Sequence, residues 1–359
     1  MNLDEISTFA DIDPHNMLAE IDGLPDQLKT AWELGKEFPL PCWEGVQGVL
    51  LAGMGGSAIG ADLLAAYTAP TCSVPVAVNR NYTLPGWAHG PETLVIASSH
   101  SGNTEETISV FQQAVKRNCR ILVVCTGGKL ATAAQEHRTA LWQFHHDGQP
   151  RAAVGYSFGL LLAVFSRLGL LATTPSNLEA ELTNAIEAMK AQQPSLQAAT
   201  PIVHNPAKRL AGQCLDRWVV VFGEDHLAPV ARRWKGQISE LAKAWAQFEF
   251  LPEADHNTQA GVVNPESVLA KTAVLFLRGS TVHPRNQLRV GFTKEIMMLA
   301  GLGTDIIEAQ GDTPLAQMWT SLHFGDYFAY YLAMLYGVDP TPVEAIQELK
   351  ARMSAHPAA

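Results

Sequence analysis

Glycines and hydroxyl residues gather in two short stretches, GMGGSAIG at 53–60 and SSHSGNTEET at 98–107, each lying between an apolar run and a segment with apolar residues at helical spacing. Where a buried strand hands over to a helix, the first helical N–H groups are unpaired and the helix dipole favours negative charge, so a turn of small residues there can admit an anion. Gly55 and Gly56 allow a ligand close to the backbone, and the hydroxyls of Ser57, Ser99, Ser101 and Thr104 can donate to anionic oxygens. The pattern predicts a phosphate cradle, provided that Glu105 and Glu106 point away from it. A purely structural reading competes: Asn103 and Glu106 have the spacing of a helix cap, and glycines after strands turn the chain.

Other chemistries fit less well. Gly53-Met-Gly55-Gly-Ser-Ala58 passes as a Gly-x-Gly-x-x-Ala dinucleotide fingerprint, but the end of the second strand offers Asn79 and Arg80 where a ribose-binding acid is expected. An arginine there could still accept a 2′-phosphate. No Gly-Lys-Ser/Thr stands at Walker spacing. His145 and His146 beside Asp147 suggest a metal but lack a third ligand at useful spacing, so a solvated pair at a strand end is expected. The five cysteines form no Cys-x-x-Cys pair and read as small buried hydrophobes rather than a zinc or disulfide framework.

The elements that must carry these turns alternate. Strands are expected near 46–52, 74–78, 93–98, 120–125 and 141–145, with helices at 57–67, 103–117 and 128–137, after an amphipathic helix at 15–36. A helical stretch at 152–195 leads to AQQPSLQAATP (191–201), the most linker-like segment. The alternation then resumes: strands at 217–222, 247–251, 272–277 and 304–309, helices at 226–246, 283–300, 313–336 and 342–353. This predicts an α/β chain of two doubly wound, parallel-sheet domains, 1–195 and 196–359, similar in pattern rather than identity.

The 359 residues are 47% hydrophobic and carry a formal charge of −10, enough for a sizeable core and without a basic field for nucleic acid or an anionic membrane. The opening MNLDE has neither a basic nor an apolar leader region, and no run approaches 18 apolar residues. A cytoplasmic location is expected.

The turn Ser99-His-Ser101-Gly-Asn-Thr104 resembles the Ser-x-Ser-Gly-x-Thr hallmark of the sugar isomerase (SIS) fold. DPHNMLAEI near the N-terminus, PRAAVGYSFG (150–159), RWKGQISELAK (233–243), PEADHNTQAG (252–261) and GVDPTPVEAIQELK (337–350) narrow the match. In order and spacing, over nearly the whole chain, they look like the bifunctional phosphoglucose/phosphomannose isomerase family. The resemblance implies two SIS domains and interconversion of glucose or mannose 6-phosphate with fructose 6-phosphate through a cis-enediol, without metal or cofactor. It implies Ser57, Ser99, Ser101 and Thr104 at the phosphate, Arg151 at the enediolate, Glu240 as the C1/C2 proton carrier, and His256 and Lys350 in ring opening. It also implies a homodimer in which His256 reaches the neighbouring subunit's site.

Each of these residues has a plainer reading: Glu240 paired with Lys243, Arg151 capping a turn or paired with Asp147, His256 in a solvated loop, Lys350 on a solvated helix. Departures from the family pattern are Ser239 and Leu241 beside Glu240, His100 for a tyrosine, and Val343 for a small hydroxyl that Thr341 could supply. These bear on acceptance of both epimers before they bear on the isomerase chemistry. Rival readings are another sugar-phosphate isomerase of the same fold, a non-catalytic sugar-phosphate sensor, and, more distantly, a nicotinamide enzyme.

Overall fold

The computed structural model describes residues 2–356. Two parallel sheets form the frame. The first contains β1 (Gly48–Ala52), β2 (Val76–Asn79), β3 (Thr93–Ser99), β4 (Arg120–Cys125) and β5 (Ala140–Gln143), in the order β2-β1-β3-β4-β5. The second contains β6 (Trp218–Glu224), β7 (Ala246–Leu251), β8 (Thr272–Arg278) and β9 (Gly303–Glu308), in the order β7-β6-β8-β9. In each, the chain leaves one central strand toward one edge and returns on its other side. The crevice at the carboxyl ends of β1 and β3, paired in register from Gly48↔Thr93 to Ala52↔Ala97, is therefore a switch point where ligands bind in such sheets.

Strand alternation divides the core. Val49, Leu51, Leu94 and Ile96 face one large apolar cluster that also takes Val219 and Val221 of the second sheet. Leu50, Ala52, Val95 and Ala97 face a separate cluster under the outer helices, as Val220 and Phe222 do in the second sheet. The shared cluster is filled by helix Pro314–Tyr336, buried on nearly every face and packed on helices Pro175–Leu196, Pro206–Cys214 and Ala228–Leu241. Helix Ala228–Leu241 in turn packs on helix Gly55–Thr68, where Arg232 meets Asp62 at 2.9 Å.

Several expected elements are divided or shortened. The helix expected over 15–36 breaks at Gly23, because Pro25, which has no N–H to donate, opens a new helix, Leu24–Glu37. The stretch 152–195 becomes a turn at Pro150–Ala152 and helices Val154–Arg167 and Pro175–Leu196. The linker-like composition at 191–201 misleads in its first half. Pro194 falls in the last helical turn, and the Leu196 carbonyl accepts hydrogen bonds from Asn205 Nδ2 (2.9 Å) and the Tyr331 hydroxyl. Of the cysteines, Cys125 and Cys214 are buried as expected, whereas Cys42 is exposed. Among the described residues, no helix is long and apolar enough to cross a membrane.

Glu224, at the end of β6, is fully buried, and neither carboxyl oxygen has a hydrogen-bond partner among the described residues. Burial, then the nearby Asp225, push its pKa up to about 8, against the opposing pull of the Gly279 amide and Arg278. The folded state thus holds this proton more tightly than the unfolded chain, so stability falls as pH rises from the ordinary carboxyl range toward 8. Glu224→Gln is expected to flatten that slope and to melt higher than the parent at pH 8.5 but not at pH 5 in thermal denaturation.

Candidate active site

The two hydroxyl turns converge at the switch point. Ser57 sits in the first turn of helix Gly55–Thr68, whose N-cap position is held by Met54 without a side-chain cap. Gly55 has φ +53°, a conformation suited to glycine, and open space lies where a Cβ would point. A Cβ on Gly53 would stand 2.8 Å from the Ser98 carbonyl oxygen and 3.1 Å from Ser57 Cβ, which shows how closely the two strand ends approach.

Ser99, buried at the end of β3, shares a 2.8 Å hydrogen bond with Thr104. The expected Asn103 cap is not formed. Asn103 donates to the Ser101 carbonyl and accepts from the Lys129 amide, while Thr104 takes the N-cap position with its hydroxyl turned to Ser99. The first N–H groups of helix Glu105–Lys116 are therefore free of a side-chain cap, as an anion site requires. Ser101 is exposed, and its oxygen accepts from the Asn103 amide at 3.2 Å. Glu105 turns outward to the Tyr82 hydroxyl at 3.2 Å, and Glu106 also lies beside Tyr82.

Arg151 adjoins this cradle: a Cβ on Gly56 would lie 2.5 Å from the Pro150 carbonyl oxygen and 3.3 Å from Arg151 Cα. Only 4% exposed, Arg151 donates through Nη2 to the carbonyls of Pro340 (2.7 Å) and Thr341, and its Nη1 stands 4.0 Å from Glu240 Oε2. Burial lowers its pKa and Glu240 opposes that shift, without threatening the charge of a guanidinium. Behind it, Arg233 donates to the Arg151 carbonyl (2.6 Å) and makes a two-pronged pair with Asp326 at 3.1 and 2.8 Å. Asp147 is not its partner, since Asp147 pairs with His145.

Glu240 occupies the last turn of helix Ala228–Leu241, with 30% of its side chain exposed. The alternative ion pair with Lys243 is not formed; the Lys243 ammonium instead donates to the Glu240 main-chain carbonyl, 3.5 Å from the Pro340 carbonyl it shares with Arg151. Burial, then repulsion by Arg151, lower the Lys243 pKa to about 8. Sequence reasoning missed Lys243 and Arg233 as site residues, although both lie in the RWKGQISELAK stretch.

Neither His256 nor Lys350 makes a hydrogen bond or ion pair with Arg151 or Glu240 among the described residues. His256 is exposed in the turn Glu253–His256 beyond the carboxyl end of β7, whereas Glu240 lies near its start. The six residues of that strand, which lies between them in the chain, span about 20 Å. Lys350 lies on helix Glu344–Ser354, none of whose residues is buried. Thr341 is buried beside Arg151 with its hydroxyl unpartnered among the described residues, while Val343 opens the C-terminal helix.

The expectation for the histidine pair holds for exposed His145 and fails for His146. His146 is half-buried, with Nδ1 2.9 Å from His100 Nε2 and Nε2 3.8 Å from Glu20. Arg80 is taken up by an ion pair with Asp62 and a bond to the Ala58 carbonyl, so it is not presented to a ribose phosphate. A cavity of about 580 Å³ lined by Arg209, Asp305 and Ser321 shares no lining residue with the hydroxyl turns or the Arg151–Glu240 pair.

Comparison with known proteins shows the family and the fold. Residues 203–353 match the family described as bacterial phospho-glucose isomerase C-terminal SIS domain. A bifunctional phosphoglucose/phosphomannose isomerase from Caldicellulosiruptor bescii is 36% identical over 94% of this chain and 99% of its own. One from Aquifex aeolicus is 33% identical over 86% and 91%. In fold, the chain is similar to the C-terminal domain of glucosamine-fructose-6-phosphate aminotransferase from Francisella tularensis, with a TM-score of 0.75, 12% identity, and coverage of 91% and 98%. With hydroxyl turns, a buried arginine and a helical glutamate gathered on a doubled SIS framework, and with that identity over nearly full length, the chain belongs to the bifunctional phosphoglucose/phosphomannose isomerase family.

Proposed function

We propose that this protein interconverts glucose 6-phosphate and mannose 6-phosphate with fructose 6-phosphate, acting as a cytoplasmic homodimer. The observation that carries the reading is the Arg151–Glu240 pair at 4.0 Å, set against the phosphate cradle through Gly56. Ser57, Ser99, Ser101, Thr104 and two helix N-termini hold the phosphate, leaving C1 and C2 of the open chain to reach Glu240. The Glu240 carboxylate takes the proton from one carbon and returns it to the other. Charge on the enediolate oxygens is balanced by the Arg151 guanidinium, already fixed by two main-chain carbonyls and so needing little reorganisation. Acceptance of both epimers is assigned to Thr341, whose hydroxyl is buried beside Arg151 and unpartnered among the described residues, so that a small shift is needed for it to meet a sugar hydroxyl. Lys350 and His256 serve ring opening. A proton NMR time course with fructose 6-phosphate tests the assignment: both aldose products are expected, and no turnover refutes it.

The position of His256, beyond the opposite end of β7 from Glu240 within one chain, favours a shared site. Asp255, next to His256, is held by Arg289 (2.6 Å) and Thr293 (2.8 Å) of helix Pro284–Leu299, which presents Leu288, Phe292, Ile296 and Leu299 to solvent. Pairing two chains through that stripe would cover it and carry His256 toward the partner's cleft. Mixing inactive Glu240→Ala and His256→Ala chains is expected to restore about a quarter of parental activity, since a mixed dimer holds one intact site. Absence of recovery after verified subunit exchange rejects the shared site.

A further inference from the structure

The half-buried His146 and the histidine inside the serine turn form an array that the isomerisation chemistry above does not use. The His100 main-chain carbonyl accepts from the Thr126 amide (2.9 Å) and hydroxyl (2.7 Å), which fixes the residue between Ser99 and Ser101. Its ring packs edge-on against Phe144 and His146, and Phe144 stacks on Tyr156 at 4.8 Å. From His146 the array continues to Glu20, whose Oε1 accepts from the Gln149 amide at 3.1 Å. The Gln149 side-chain oxygen faces Arg151 Nη1 at 3.5 Å, so the chain of polar contacts runs from the phosphate turn to the guanidinium.

Proton bookkeeping gives the array a direction. A neutral imidazole has one N–H, and the Glu20 carboxylate beside His146 Nε2 favours the proton there. His146 Nδ1 is then an acceptor, so the proton between the rings belongs to His100 Nε2. Both rings stay neutral near pH 7: burial pushes His100 down to about 4, assisted by repulsion from His146, and burial lowers His146 too. The groups facing His146 otherwise are Glu20, Asp147 and His145. His100 Nδ1 is thereby left as a bare acceptor, with no protein partner among the described residues and not sealed from solvent.

We propose that His100 is a further substrate-binding residue, held by His146 and Glu20 in the tautomer that offers an acceptor nitrogen to the hydroxyls of the sugar chain. This rests on the hydroxyl turns being the phosphate site. An acceptor flanked by Ser99 and Ser101 is matched to the O–H donors next to the phosphate and mismatched to the phosphate oxygens themselves. His100 therefore reads the polyhydroxy chain, while the serines read the anion. His146 and Glu20 are positioning residues.

The test compares fructose 6-phosphate with inorganic phosphate. His100→Phe is expected to raise KM for fructose 6-phosphate about 3- to 10-fold, the worth of one hydrogen bond, with kcat changed less and competitive inhibition by inorganic phosphate unaltered. In the parent, ¹⁵N NMR of the His100 ring should show an unprotonated Nδ1, and Glu20→Gln should move it toward the mixed tautomers. His145→Ala, on the exposed neighbour, should change neither. An unchanged KM, equal weakening of phosphate and sugar, or a protonated Nδ1 overturns the proposal. If the parent neither turns over fructose 6-phosphate nor is inhibited by phosphate, the phosphate-site reading falls first and this one with it.

Discussion

Glu240→Gln is expected to lower kcat by about 10²- to 10⁴-fold while leaving KM for fructose 6-phosphate within a few-fold of the parent. The amide matches the carboxylate in shape but cannot take a proton at neutral pH. Binding is expected to survive because the proposed phosphate site lies on the first lobe, whereas Glu240 comes from the second. Packing survives because the side chain is part-exposed and makes no hydrogen bond among the described residues; its nearest charged partner is Arg151 at 4.0 Å. Steady-state kinetics check the size of the effect, and deuterium incorporation at C1 and C2 by NMR checks its cause. A variant that keeps more than a tenth of parental kcat would mean that another group carries the proton, as the reading of a different sugar-phosphate isomerase supposes.

Arg151→Lys is expected to lower kcat/KM by about 10²- to 10³-fold, although the charge is kept. The guanidinium uses one nitrogen for the carbonyls of Pro340 and Thr341 and turns the other toward Glu240. A single ammonium cannot bridge both, so it must abandon either the anchor or the reacting oxygens. The anchor has a second role, because the segment it holds leads directly into helix Glu344–Ser354 and Lys350. Faster amide hydrogen exchange over residues 341–354 should accompany the kinetic loss. A fall in rate with unaltered exchange would confine the role of Arg151 to the reacting oxygens.

Features with local causes were legible in the sequence. A run of small residues after a buried strand has few uses, and Gly53 to Ser57 and Ser99 to Thr104 lie where strand ends meet helix N-termini. The cap was displaced by one residue because Asn103 finds partners in Ser101 and in the Lys129 amide from the next βα connection, a contact that spacing along one helix cannot reveal. Nothing near Glu240 marks it among helical glutamates. What distinguishes it is Arg151, brought within 4.0 Å by the packing of helix Ala228–Leu241 on helix Gly55–Thr68; the resemblance implied a role for each residue, whereas their pairing emerged only in the fold. His146 looked solvated because burial at a strand end depends on what packs over it, here Glu20 from the N-terminal helices and Tyr156. Lys243 reads as an ordinary surface lysine until Arg151 is placed beside it.

The two lobes repeat one strand order, and the proposed site draws on them from opposite ends. Where β1 is followed by glycines and Ser57, β6 is followed by Asp225, whose carboxylate already accepts from the His283 amide (2.7 Å) and Asn286 (3.1 Å) and is unsuited to the anion proposed for the first crevice. The second lobe instead contributes Glu240 from the far end of the helix that follows β6. A chain with a doubled framework should therefore bind one sugar, not two, and calorimetric titration with a non-reacting analogue should saturate at one equivalent per subunit.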